Sequence, residues 1–261
     1  MLLARYAPVG SQRYEKLAQS IKSFDKIMEW IPAQLFGIWI VFVAGIAAGK
    51  ATIDRFYFWD WSDWLLGLIG VVAITLLIGL LGFKNKYFPI DDISVSYKSI
   101  GFHLILVFML FGIGSLLNNT IFVINAILYV VAYIAIYLIH TITYDKSEQK
   151  IVSPNNKNVK TGIAIILFII IAIIGYYFDD PVISTGSIVS LPFLVVLLFG
   201  KHIRHLERAK FYPIFIFAMF VVSREGWFLI PILLLFFILR SYNYLRYQKV
   251  YPTFGVTNDQ N

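Results

Sequence analysis

The sequence predicts an all-α fold, a polytopic transmembrane helical bundle of about eight spans with both termini in the cytoplasm. Three observations carry that expectation: an extreme composition, a succession of long apolar runs, and a one-sided distribution of basic residues. Of 261 residues, 59% are hydrophobic and 14% charged, whereas soluble domains average roughly 45–50% apolar and about 25% charged. A soluble cytosolic domain is therefore excluded, and no window shows the alternating ten-residue pattern of an outer-membrane barrel.

The elements follow in chain order. Residues 1–29 read as a cytoplasmic leader. Within it, Leu17, Ile21 and Phe24 fall on one helical face, as in a helix lying on the membrane surface. The leader is mostly polar and lacks a small-residue cleavage site after a short apolar core, so it reads as part of the mature chain. Apolar runs at 30–49, 64–83, 100–117, 120–139, 162–178, 182–199, 211–223 and 227–239 then predict the spans, within one transmembrane domain over 30–240 followed by a cytoplasmic tail at 241–261. The last two runs are short. One continuous helix over 211–239 would carry Arg224 and Glu225 near mid-bilayer, at roughly 2.5–3.5 kcal/mol per charge. Two helices, or a pair kinked near Pro213 and Pro231, avoid that cost.

Basic residues set the orientation. Nineteen of the 22 lie in the leader, the second, fourth and sixth connections and the tail, and only Lys50, Arg55 and Arg224 lie in the others. This alternation predicts an integral membrane protein with both termini inside, in the inner or cytoplasmic membrane if the source is a prokaryote. It also accounts for the net charge of +7 as a topology signal, without nucleic acid as a partner. Trp59, Trp61 and Trp64, with Phe56, Tyr57 and Phe58, read as an aromatic belt at the headgroup level of the first external connection.

Cysteine is absent, which excludes disulfides, thiolate nucleophiles and Cys-ligated metals. No glycine-rich phosphate loop, His-Glu-x-x-His helix or Gly-x-Ser-x-Gly elbow is present. Candidate chemistry is therefore expected in the cytoplasmic connections. In the second, Lys84, Asn85 and Lys86 precede Asp91 and Asp92. The paired carboxylates could hold a divalent ion beside an anionic group, or could serve as the N-terminal signal of the next helix. In the fourth, Asp145 and Glu148 could share a cation or pair with Lys146 and Lys150. The fourth span carries Asn125, Tyr129, Tyr133 and Tyr137 at four-residue intervals, suited either to lining a lipid-tail cavity or to interhelical packing. In the sixth connection, Arg204 and Arg208 stand one helical turn apart, a spacing that suits a phosphate or diphosphate and equally an anionic headgroup.

This layout resembles the UbiA-type intramembrane prenyltransferases, in which an amphipathic leader precedes eight or nine spans and an aspartate-rich motif follows the second. Asn85, Tyr87 and Phe88 sit where that motif has its Asn and aromatic pair, followed by Asp91 and Asp92, while Lys86 and Pro89 replace two of its aspartates. The family's second motif, Asp-x-x-x-Asp, has no counterpart in the sixth connection, where Glu207 stands among basic residues. The resemblance implies Mg²⁺ at Asp91 and Asp92 and an isoprenoid diphosphate beside Lys84, Lys86, Arg204 and Arg208, with its tail near Tyr129, Tyr133 and Tyr137. The alternatives are a non-catalytic lipid-binding scaffold or a subunit of a membrane complex with other membrane proteins as partners. A transporter is weaker, because only His103 comes near mid-span as an ionisable residue.

Overall fold

A computed structural model describes residues 2–25, 32–54, 56–80, 97–117, 123–145, 150–151, 154–200 and 202–248. Two leader helices, α1 (Leu2–Tyr6) and α2 (Gln12–Ile21), and a 3₁₀ turn at Lys22–Phe24 precede the long helices. These are α3 (Pro32–Ala51), α4 (Trp64–Leu80), α5 (Tyr97–Leu116), α6 (Val123–His140), α7 (Pro154–Tyr177), α8 (Pro181–Phe199), α9 (Ile203–Arg224) and α10 (Leu229–Tyr247). Each falls on one of the eight apolar runs. The described strands are a two-residue antiparallel pair, Tyr144–Asp145 with Lys150–Ile151.

Among the described residues, four segments are long and apolar enough to cross a membrane: Val123–His140, Asn156–Tyr177, Pro181–Phe199 and Gly226–Tyr247. Shorter apolar stretches occupy Phe36–Ala51, Trp64–Leu77 and Ile100–Leu116. Such helices are compatible with an integral membrane protein. The outward face of α4 fits that setting, with Leu65, Leu66, Ile69, Val72, Leu76 and Leu77 all 48–59% exposed. A row of large apolar side chains of this kind is normally covered.

Local signals account for the helix boundaries. Ser11 caps α2 by accepting a hydrogen bond from the Tyr14 N–H, and Asp180 caps α8 with Pro181 in its first turn. The expected break between the last two runs is a true one: α9 stops at Arg224, a 3₁₀ turn spans Gly226–Phe228, and α10 starts at Leu229. Pro213 lies inside α9, whereas Pro231 falls in the first turn of α10, where a missing N–H costs little. α9 is longer than its apolar run because the basic segment from Ile203 onward is also helical.

The core is built along α3, α5, α6, α7, α8 and α9. α3 packs on α5, α6 bridges α5 and α7, α7 and α8 form a close hairpin, and α9 packs on α8 while also reaching α3 and α6. The α3–α5 crossing is tight because it is made by glycines. A Cβ on Gly45 would run into the Phe111 carbonyl, and one on Gly114 into the Phe42 carbonyl, so small residues let the two backbones meet.

The leader docks on the end of the last helix. Tyr14 donates its hydroxyl to the Leu245 carbonyl at 3.0 Å, and its ring meets Tyr244 edge-on at 5.6 Å. Tyr244 donates to the Ala7 carbonyl at 2.7 Å, Tyr242 donates to Asp25 at 2.8 Å, and Arg246 pairs with Asp25 at 3.0 Å. Of the expected face, Ile21 joins this contact with Tyr14 and Ala18, while Leu17 and Phe24 stay 36% and 53% exposed. The bundle thus has a leader end, with α2 and the C-terminus of α10, and a far end, with the connections around 52–63, 178–180 and 225–228.

Candidate functional site

The buried carboxylates among the described residues, Asp180 and Glu225, lie at the far end. Lys50, at the last turn of α3, places its Nζ 2.6 Å from Asp60 Oδ2 and 3.2 Å from Glu225 Oε2. The Glu225 side chain is fully buried, and the Trp227 indole N–H donates to it at 2.7 Å. The aromatic connection after α3 is stitched to the α9–α10 break through its backbone. Trp59 N–H donates to the Ser223 carbonyl and Asp60 N–H to the Arg224 carbonyl, both at 2.8 Å, and Gly226 N–H returns to the Asp60 carbonyl at 3.0 Å. Trp59 takes the left-handed region, φ 52°, to make this join, an uncommon conformation for so bulky a residue. Arg224 donates to the Tyr57 carbonyl and lies over the Tyr57 ring at 5.4 Å. The Tyr57 hydroxyl donates to the Ala47 carbonyl at 3.0 Å.

The environment moves these groups in opposite directions. Burial would raise Asp60, but hydrogen bonds from Lys50 and Ser62 outweigh it and hold the carboxyl at about 2. For Glu225, burial dominates and raises it despite Lys50 and Trp227. Burial, reinforced by Glu225, also raises Tyr57. The arrangement is a closed ion network that pins a connection.

Beside it lies a more open site. The α7–α8 hairpin turns through Asp179, at φ 56°, to Asp180, which is 1% exposed. Asp180 accepts hydrogen bonds from the Ile183 N–H at 3.1 Å, the Asn125 amide at 3.2 Å and the Tyr129 hydroxyl at 3.4 Å. Burial pushes its carboxyl up to about 6, against these bonds. A cavity of about 230 Å³ opens here, lined among others by Asp180, Ser184, Thr185, Tyr176, Phe56 and Arg224. It is a polar chamber with both signs of charge in its wall and aromatic side chains around it.

The sequence-predicted residues are distributed as follows. Tyr129, Tyr133 and Tyr137 are buried, at 4%, 5% and 8% exposure. Tyr129 packs against Phe111 at 4.7 Å, and Tyr133 lies between His103 and Tyr137, at 6.2 and 6.1 Å. The stripe is thus part of the packing between α5 and α6, and its first member points to Asp180 at the far end. Arg204 and Arg208 are exposed on the first turns of α9, toward the leader end. Lys84, Asn85, Lys86, Asp91, Asp92 and Glu148 lie outside the described residues, and Asp145 is described only through its backbone pairing with Lys150. Among the described residues no three His, Asp or Glu stand close enough to hold a metal ion.

At the leader end, cations serve helix termini. Lys157 donates to the carbonyls of Leu197, Leu198 and Gly200 at 2.9, 3.2 and 2.9 Å, closing the C-terminus of α8. Lys160 donates to the Thr141 carbonyl at 3.0 Å, just past the end of α6. Both geometries place positive charge where the helix dipole favours it.

No known protein family, curated protein or solved structure matches the chain.

Sequence reasoning missed Lys50, Asp60, Asp180 and Glu225. Part of the signal was present: Lys50, Asp180 and Glu225 each sit within a residue or two of a helix end, where a charge opposite an apolar run needs a partner, whereas Asp60 lies inside the connection between two helices.

Proposed function

We propose that this chain is an eight-span integral membrane protein with both termini in the cytoplasm, and that it works on an isoprenoid-type lipid as a divergent relative of the UbiA-type prenyltransferases. The observation that carries this reading is the coincidence of eight long helices with the eight apolar runs, together with an amphipathic leader helix docked beside the end of the last one. The basic residues at the leader end support it. Arg204, Arg208 and the second connection's Lys84 and Lys86 could neutralise a diphosphate, and Asp91 and Asp92 could hold the Mg²⁺ that carries it.

The orientation is tested by labelling. Because the chain has no cysteine, single cysteines at Phe58 and Arg208 report alone. An impermeant maleimide added outside intact cells should modify the first and spare the second, and the reverse pattern sinks the topology. The activity is tested by Mg²⁺-dependent transfer from a radiolabelled isoprenyl diphosphate. Asp91→Asn with Asp92→Asn should abolish transfer, and unchanged turnover sinks the assignment.

A second reading, a non-catalytic lipid-binding protein or membrane-complex subunit, is favoured by the placement of the buried carboxylates Asp180 and Glu225 away from the leader end, and by the packed state of the tyrosine stripe. Detergent extracts in which the chain migrates with stoichiometric partners support that reading over the first.

A further inference from the structure

We propose that the docked leader is a binding surface for anionic phospholipid headgroups, built by α1 and α2 together at the membrane boundary. The proposal rests on the spanning reading above, and on neither its orientation nor its chemistry. Docking divides each leader helix into two faces. On α2, Tyr14, Ala18 and Ile21 are consumed by the contact with Tyr244 and Leu245, while Leu17 and Phe24, two turns apart on the adjacent face, stay uncovered. On α1, Leu3 and Ala7 turn inward, and the facing pair Leu2 and Tyr6 is 83% and 62% exposed. The Arg13 guanidinium lies over the Tyr6 ring at 4.9 Å. That contact joins the two outward faces into one surface.

Charge is sorted around that surface. Arg13 stands one turn before Leu17, Lys16 one turn after Arg13, and Arg5 beside Leu2 and Tyr6, and all three cations are exposed. At about 100° per residue, Glu15 falls on the opposite side of α2 from Leu17. Asp25 is already held by Tyr242 and Arg246. Apolar side chains flanked by cations, with the acids directed elsewhere, suit a helix lying in an anionic interface, and each Lys or Arg near such a surface favours it by about 1 kcal/mol, a roughly fivefold shift. The height of the platform agrees. The apolar segment Gly226–Tyr247 has 22 residues, about 33 Å as a helix against roughly 30 Å of hydrocarbon. Tyr244 and Leu245, on which the leader sits, therefore come at headgroup level, and the uncovered face meets lipid there.

Single cysteines test the surface, since the chain has none of its own. Leu17→Cys, Phe24→Cys, Gln19→Cys and Ile69→Cys each carry one NBD fluorophore. The full chain is reconstituted in nanodiscs of phosphatidylglycerol or of phosphatidylcholine, doped with a nitroxide-labelled lipid, and quenching of the emission is read. The probes at Leu17 and Phe24 should be quenched roughly threefold more in phosphatidylglycerol, and the excess should vanish in about 1 M salt, where charges are screened within about 3 Å. The probe at Gln19, across α2, should stay unquenched in both lipids. Arg5→Gln with Lys16→Gln leaves the docked face and the Arg13–Tyr6 contact in place, and should remove most of the excess without changing the melting temperature. Equal quenching in the two lipids, or an excess that survives salt, overturns the proposal. So does shielding of Leu17 and Phe24 from aqueous iodide without quenching by the nitroxide lipid, which would assign the face to a second copy or another protein. Ile69, on the outward face of α4, separates the failures: quenched in both lipids while Leu17 and Phe24 are silent, it refutes the platform alone, and unquenched it refutes the spanning reading too.

Discussion

The two ends of the bundle meet the same difficulty, charge beside apolar helices, in different ways. At the far end Asp60 and Glu225 share the one cation of Lys50, so each charge there depends on a partner of opposite sign. At the leader end Lys157 and Lys160 are matched with carbonyl oxygens at or just past helix C-termini, so the partner is backbone that needed a donor in any case. Removing a charge therefore has unequal consequences. At the far end it strands an ion, whereas at the leader end it strands neutral acceptors.

The sharpest way to break this comparison is Lys50→Ala. Glu225 would be left buried without its cation, and loss of one partner of a buried pair costs about 3–5 kcal/mol. The expected outcome is a large fall in detergent-solubilised melting temperature, and a second substitution, Glu225→Gln, should recover part of it. A fall no larger than that of a surface lysine would show that the far-end pair is solvated.

Acidity gives the next largest effect. Folded Asp180 keeps its proton to about pH 6, against 3.8 for the unfolded carboxyl. Between those values the folded chain binds more protons, so this contribution is fully present below about pH 4 and is lost as pH rises through 6. It is on the order of 3 kcal/mol over that window. Asp60, held at about 2, acts in the opposite sense: its contribution is present above 3.8 and disappears as pH falls through 2. Asp179, Arg224, Tyr57 and Tyr129 lie around Asp180. Melting curves at pH 4.5 and 7 should differ for the wild type and lose most of that difference in Asp180→Asn, with a remainder from Glu225, which is raised in the same direction.

The smallest effect is expected at the leader end. Lys157→Met keeps the aliphatic stem and removes the donor to three carbonyls at the end of α8, those of Leu197, Leu198 and the capping Gly200, which costs about 1–3 kcal/mol. A loss equal to that of Lys50→Ala would erase the distinction between the two ends.

Much of this architecture was legible in the sequence. Apolar runs located the eight long helices of the described residues, because a long apolar stretch satisfies its backbone internally as a helix. The Arg224–Glu225–Gly226 interruption marked a break or kink where hydropathy alone would allow one straight helix, and of the two the structure has separate helices. Hydropathy missed the start of α9, since Ile203–Lys210 is helical yet basic, and helix formation does not require apolar surroundings. The far-end network was hidden for a different reason. Counting Lys and Arg reads orientation but ignores acids, and Lys50 meets Glu225 only after 175 residues of chain. The tyrosine stripe was found by its spacing, but spacing does not distinguish a cavity lining from packing. That depended on Phe111 and His103 of α5, which fill the space beside it.

The leader clamp also bears on the order of assembly. Tyr14 emerges from the ribosome early, but its acceptor at Leu245 follows 231 residues later, a delay of roughly 10–50 s at ordinary elongation rates of about 5–20 residues/s. During that interval the leader lacks this docking surface, and the clamp closes only when α10 is in place. Formation of the Tyr14–Tyr244 contact is therefore a structural record that α10 is in place, and a chain truncated before α10 would leave its leader undocked.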